Sequence, residues 1–445
     1  MLFQPIDSRF GNYGIYDLLD NELEAYISML QETTNFSNES GKTIVMPVSK
    51  KRKCPICDSP KSKLLFRQHF YMISGCALLD GYDVVVCEKC GFCYADKIPQ
   101  QSDFDFYYRE MSKYEYQDHG NRISRYDMAR FQSTASYLGG FLPSPETCIL
   151  EIGCSTGTLL SLLKKKGFDN VIGLDPSPTC SEVAQRLYGI RVQTNTLFEI
   201  AVKVASIDVL IMVGVLEHVR ELKMALKICW NLLSDDGLFY IEVPDASCYD
   251  KGEDAPFQEF SPEHINFFDP DSLKNLMITN GFTQVAMEQI TVETNYRTTT
   301  PAIRSVYKKN KPATSFTLTH DFQTKAELMA YIDHSCQMDS QIQTAIARVV
   351  NTGQSIIVWG TGAHTLRLLA TGALSRAKIR AFVDSNSKYQ GKQLNGVPIV
   401  PPQAIKEWPE PILISSRVYQ EEIAGQIINE LQLRNEIIRL YSYDR

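Results

Sequence analysis

The chain has 445 residues, 44% of them hydrophobic and 22% charged, with a net charge of −7. Such proportions suit soluble globular domains, and the length allows about two to four of them. The acid excess offers no footprint for nucleic acid, no apolar run nears the ~20 residues of a membrane span, and the N-terminus lacks the basic and apolar regions of a signal peptide. A cytoplasmic protein with no nucleic-acid or membrane partner is therefore expected.

Residues 1–50 form an extension. Within it, Ile15, Leu18, Leu19, Leu23, Tyr26, Ile27 and Leu30 have the spacing of one helical face, and a polar, turn-rich linker follows over 35–42. Residues 51–118 carry six of the twelve cysteines, too few overall for a disulfide scaffold in a chain this long. Cys54-Pro55-Ile56-Cys57 and Cys87-Glu88-Lys89-Cys90 lie 29 residues apart. Each C-x-x-C turns two thiolates to one side, and two such knuckles supply the four sulfurs Zn²⁺ prefers. Four sulfurs leave no site for water, so Cys54, Cys57, Cys87 and Cys90 point to a structural zinc. Cys93 could replace Cys90. A redox role would account for one pair and leave the other unexplained. Asp83 to Val86 reads as a strand into the second knuckle, and Gly91 stands where that knuckle needs a small residue. Phe104, Phe106, Tyr107, Tyr108, Tyr114 and Tyr116 then make an aromatic bridge, read as an apolar packing face from which one tyrosine could reach a cleft.

Residues 119–300 alternate short apolar runs with helical patterns, which implies an α/β domain with a doubly wound sheet. A helix over 126–142 leads in. The run Cys148-Ile149-Leu150-Glu151-Ile152 reaches Gly153-Cys154-Ser155-Thr156-Gly157, and a helix begins near Leu159. Such a loop brings a ligand against bare backbone and free N–H groups. Asp175 closes the next strand, 24 positions after Glu151, and the turn Asp175-Pro176-Ser177-Pro178 opens a helix. Ser155 occupies a position where glycine is usual, and it fits there only if it avoids a positive φ. Ile207 to Val213 reads as a buried strand. Leu216-Glu217-His218 follows at its end, where ligands sit in parallel sheets, and is read as positional. A helix over 224–233, a turn at Asp236-Gly237 and a strand over 237–244 come next. Then Phe260-Ser261-Pro262-Glu263-His264-Ile265-Asn266 forms a loop before a helix capped by Asp269 and opened by Pro270. An imidazole beside a carboxylate suits proton removal near neutrality, although His264 could equally hold the loop by bonding a backbone carbonyl.

Residues 301–445 begin with a basic, polar stretch over 305–320 read as a linker, then a helical region over 322–350. Ser355-Ile356-Ile357-Val358-Trp359-Gly360-Thr361-Gly362 repeats strand, glycine loop and helix, and Ile379 to Asp384 is a second strand ending in an acid. This Rossmann-like unit lacks an acid before Gly360. Its loop is read as empty, or as touching a nucleotide of the substrate, in preference to holding NAD.

Glu151, the glycine loop and Asp175 resemble the S-adenosylmethionine (SAM) site of class I methyltransferases, with an NAD-type loop as the alternative. The resemblance implies that Glu151 helps hold the methionine moiety and Asp175 the ribose hydroxyls, with Gly153, Cys154, Ser155, Gly157, Pro176 and Leu216 completing the cofactor set. The order of cysteine module, tyrosine bridge, SAM domain with Glu-His and third α/β domain resembles the three-domain deoxysugar C-methyltransferases of bacterial sugar biosynthesis. That family implies a nucleotide-linked 4-keto sugar as substrate, His264 as the base, Glu263 as its partner or oxyanion-side acid, and Tyr114 or Tyr108 closing over the sugar. Two features depart from it: Ser261 stands where the family has tyrosine, and Thr291 to Arg304 replaces its His-Gly-Gly-Ser segment. Sugar O-methylation therefore stays open, as does a nucleotide-binding oxidoreductase or scaffold built on the last domain. A monomer and a dimer are both compatible with the sequence.

Overall fold

The computed structural model describes residues 50–111, 123–200, 206–311 and 316–441. The helix expected over 15–30, the linker after it, Tyr114 and Tyr116 lie outside them.

The cysteine module is a small antiparallel sheet of β1 (Ser62–His69), β2 (Gly81–Cys87) and β3 (Cys93–Asp96). The expected strand over 83–86 lies within β2. Gly91 turns the chain into β3 at φ +83°, and a Cβ there would lie 2.0 Å from the Asp321 carbonyl oxygen, so only glycine fits. The aromatic bridge begins as α1 (Gln101–Met111), which buries Phe104, Tyr107 and Met111, as an apolar packing face should.

The central domain starts with α2 (Arg125–Gly139), capped by the Ser124 side chain accepting from the Asp127 amide. There follow β4 (Ile149–Ile152), α3 (Thr158–Lys165), β5 (Val171–Asp175), α4 (Pro178–Tyr188), β6 (Val192–Thr194), β7 (Ile207–Val213), α5 (Leu222–Leu232) and β8 (Leu233–Pro244). These strands run parallel in the order β6-β5-β4-β7-β8. Strand order therefore reverses beside β4, and a crevice opens at the carboxyl ends there. The expected turn at Asp236-Gly237 is an irregularity inside β8, with Asp236 at φ +64°. β9 (Asn266–Phe267) leaves this sheet and pairs with β3 of the cysteine module. α6 (Pro270–Thr279) has Asp269 as its cap and Pro270 in its first turn, as expected.

The boundary at residue 300 needs correction. β10 (Phe282–Asn295) and β11 (Thr298–Lys309) form a hairpin, and β11 pairs with β8. The central sheet thus has seven strands and runs to residue 309, through the stretch read as the start of a linker. α7 (Thr324–Asn351) leads to the last sheet, whose core is β12 (Ser355–Trp359), α8 (Ala363–Thr371) and β13 (Lys378–Val383) in a six-stranded arrangement.

The module joins two cores. Ile56, Val85, Phe92 and Tyr94 pack with the central sheet, whereas Phe70, Val84 and Ile98 pack with α7 and the last sheet. Alternate residues of β2 thus face different domains, as strand geometry dictates.

Candidate functional site

The crevice beside β4 is a cavity of about 380 Å³. Glu151, Gly153, Cys154, Ser155, Asp175 and Pro176 line it, along with Tyr108, Glu217, His218, Glu259 and His264. Two expected cofactor residues stand elsewhere. Leu216 is fully buried in the core. Gly157 begins α3 at φ +77°, where a Cβ would lie 3.1 Å from Ala184.

The glycine loop turns through three left-handed residues, Gly153 at φ +73°, Ser155 at +47° and Gly157 at +77°. Ser155 therefore adopts the positive φ that glycine favours, so the condition set on it at this position is not met. Its amide donates to Asp175 Oδ2 at 2.8 Å, and the Ser177 amide donates to Oδ1 at 2.9 Å. The acid at the end of β5 thus holds the loop in the tight turn. Glu151 is 3% exposed, and its Oε2 meets no hydrogen-bond partner among the described residues. Burial and the charge of Asp175 push its carboxyl well above the usual range. A buried carboxylate of this kind, facing a cavity, suits a cationic group such as the ammonium of SAM.

The Glu-His pair divides. His264 lines the cavity, with Nδ1 3.2 Å from the Glu259 carbonyl oxygen and 3.6 Å from Glu259 Oε2. The backbone contact considered as an alternative role is thus present, and the ring still faces the cavity. Glu263 points the other way, into a separate cavity of about 40 Å³, where the Tyr107 hydroxyl donates to Oε1 at 2.9 Å and that of Tyr108 to Oε2 at 3.4 Å. Pro262 and Glu263 form a turn, and the chain leaves it with the Glu263 and His264 side chains lining different cavities. The carboxylates near His264 are Glu259 and Glu217. Glu217, His218 and His264 each bring a ligand atom within 4.8 Å of the others. Burial pushes the Glu217 carboxyl up to about 7 against the pull of His264. Glu217 and His218, read as positional, are therefore part of the site wall, while Leu216 packs behind them.

Of the two tyrosines, Tyr108 lines the cavity with its ring edge-on to His218 at 5.8 Å. Ser261, where tyrosine was expected from the resemblance, also lines the cavity, and its Oγ accepts from the His264 amide at 3.3 Å. The hairpin contributes Val292, Thr294, Thr300 and Ala302, and α1 contributes Gln101 and Asp105. Alternation along 290–304 could have revealed the hairpin as strand. Arg130 is the single arginine or lysine among the described lining residues, and Glu242 takes its guanidinium at 2.7 Å.

The second glycine loop does not reach this cavity. Thr361 donates to Asp384 Oδ2 from its amide at 2.9 Å and from its hydroxyl at 2.5 Å, repeating the Ser155–Asp175 contact. The loop opens on the small cavity, beside Met72, Ile73 and Tyr389.

The four cysteines meet as expected. Cys54 Sγ lies 3.6 Å from that of Cys90, and Cys57 Sγ lies 3.5 Å from that of Cys87. The Cys93 thiol instead donates to the Gly91 carbonyl at 3.6 Å, which leaves the fourth place to Cys90.

Known sequences resemble parts of the central and last domains. Residues 112–287 match the model of a methyltransferase domain, and residues 352–438 match that of the C2185-like N-terminal family. A probable S-adenosylmethionine-dependent methyltransferase of Mycobacterium tuberculosis is 29% identical over 31% of this chain, which spans 50% of that relative's length. The C-methyltransferase NovU of Streptomyces niveus is 26% identical over 62% of this chain and 67% of its own. Among solved structures, the Burkholderia thailandensis 1,6-didemethyltoxoflavin-N1-methyltransferase superposes with a TM-score of 0.38 at 19% identity, over 51% of this chain and 98% of its own. No helix among the described residues is long and apolar enough to cross a membrane. With its glycine loop, paired strand-end acids and matching sequence model, this chain carries a class I SAM-dependent methyltransferase domain, and a C-methyltransferase is among its relatives.

Proposed function

We propose that the protein methylates carbon next to a ketone in a nucleotide-linked deoxy sugar, using SAM. The observation that carries this reading is that the cofactor loop and His264 open into one cavity. Glu151 would hold the methionine ammonium and Asp175 the ribose hydroxyls. SAM bound there would supply an electrophilic methyl group. His264 takes the proton from the carbon beside the ketone. Its Nδ1–H is held by the Glu259 carbonyl, so Nε2 carries the lone pair. Glu217 stabilises the imidazolium that results, a role first given to Glu263. Tyr108 stands where it can close over the sugar. The cysteine module holds a structural zinc, and the last domain is a Rossmann-like support.

The cleft also favours a second reading. Asp105, Glu217, Asp254 and Glu259 line it, and Arg130, the single arginine among the described lining residues, is already paired. Such a wall repels a diphosphate, so either the nucleotide stays outside or the acceptor is an unactivated sugar or other neutral ketone or alcohol. Mass spectrometry of SAM reactions across keto-sugar nucleotides and the free sugars decides between them. His264→Ala should bind SAM as the wild type does and lose turnover by about 10²–10⁴. Undiminished turnover would remove His264 as the base.

A further inference from the structure

We propose that Glu217, His218 and His264 form a second metal site, which takes a borderline divalent cation such as Zn²⁺ or Co²⁺ in the wall of the methyl-transfer cavity. The cysteine cluster neither contributes to this site nor touches the cavity. Two imidazoles and one carboxylate, each with a ligand atom within 4.8 Å of the others, are the donor set of open three-ligand metal sites.

Three further features show that the set is built for an ion. First, both histidines have their other ring nitrogen on a backbone carbonyl: His218 Nδ1 donates to Glu263 O at 2.9 Å and His264 Nδ1 to Glu259 O at 3.2 Å. Carbonyl oxygens accept and cannot donate, so both rings are fixed as the tautomer with its lone pair on Nε2. This is how metal-ligating histidines are oriented. Second, Glu217 is 3% exposed, and its Oε2 has no hydrogen-bond partner among the described residues. A cation supplies what that oxygen lacks. Third, the backbone is held at both ends: the Ile265 amide donates to the Glu217 carbonyl at 2.8 Å, and the His264 amide donates to Ser261 Oγ. The ligand-bearing segments are thus tied together, and all three residues line the cavity.

The consequence rests on the proposed role of His264. An ion on Nε2 occupies the lone pair that would accept the substrate proton, so a bound cation silences the base. The site is then a point of inhibition.

The test uses the full chain with its cysteine cluster already loaded with zinc. Co²⁺ is added by equilibrium dialysis, and bound metal is counted by elemental mass spectrometry. The expected result is one Co²⁺ per chain above the zinc, without the thiolate charge-transfer absorption that cysteine ligation gives. Glu217→Gln and His218→Gln should each weaken Co²⁺ binding at least tenfold, with SAM binding by calorimetry showing that the variants are folded. No Co²⁺ beyond the zinc, or the same retention in both variants, overturns the site. Turnover should fall as Co²⁺ saturates. Co²⁺ bound with turnover intact would keep the site and overturn the competition together with His264 as the base. No Co²⁺ bound, alongside a dead His264→Ala, would overturn the site and leave the base standing.

Discussion

Gly153 shows how one residue sets the cofactor site. At φ +73°, a Cβ here would lie 2.6 Å from Val215 Cγ2. Gly153→Ala therefore meets both a left-handed strain of roughly 1–3 kcal/mol and a clash. SAM affinity should fall by tenfold or more in calorimetry. Adding Val215→Ala removes the clash and leaves the backbone strain, so the double variant should recover part of the loss. Wild-type affinity in Gly153→Ala would mean that the loop is not the cradle. At this scale the sequence was legible where a local rule acts. Strand, tight turn and helix must place Glu151, Gly153 and Asp175 together. It was not legible for Glu263 and His264. Adjacency in the chain suggested cooperation, whereas the turn at Pro262-Glu263 delivers the two side chains to different cavities. Glu217 is readable as near the cofactor but only as positional, because its motif recurs across many reactions, and its approach to His264 depends on a segment far along the chain, tied by the Ile265 amide to the Glu217 carbonyl.

The short strand β9 couples the cysteine module to the reacting loop. It pairs with β3 through Cys93 with Phe267 and Tyr94 with Asn266. Arg52, 5% exposed, reinforces the joint with donors to the Ala95, Ile265 and Arg220 carbonyls and to Asn266 Oδ1. A metal lost from the module should therefore be felt at His264, which lies outside it. Cys87→Ser is expected to release the proposed zinc, lower the melting temperature by several degrees and reduce kcat more than SAM affinity. Metal content, thermal unfolding and initial rates measure the three. A kcat unchanged in zinc-free protein would show that the joint does not position the loop. The pairing of β9 is a contact between distant segments, and no pattern in two residues could announce it. The β10–β11 hairpin is hidden in the sequence for another reason: polar threonines and glutamates dilute its alternation.

Across the whole molecule, the cleft concentrates acid. Burial pushes Asp105 and Asp254 each up to about 7 from an ordinary 3.8. Between those values the folded chain binds more protons than the unfolded one, so stability falls as pH rises through the window. His364 works in the opposite sense. Burial and the charge of Arg367 lower its pKa to about 3, so it weakens the fold as pH falls below the ordinary histidine value near 6.5. The two acids lie in the wall of the cavity and the histidine in the last domain, beside the Tyr441 hydroxyl at 3.0 Å. Their contributions can therefore be separated by substitution. Asp254→Asn should raise the melting temperature by a few degrees at about pH 8 and change it little at about pH 5, since only the ionised acid is penalised. His364→Gln should show the reverse pattern, closing its gap with the wild type as the pH drops. Equal shifts at both pH values for Asp254→Asn would mean that the acid is not held neutral by the fold. The cleft would then meet its acceptor with a full set of negative charges, and the case against a diphosphate inside it would grow stronger.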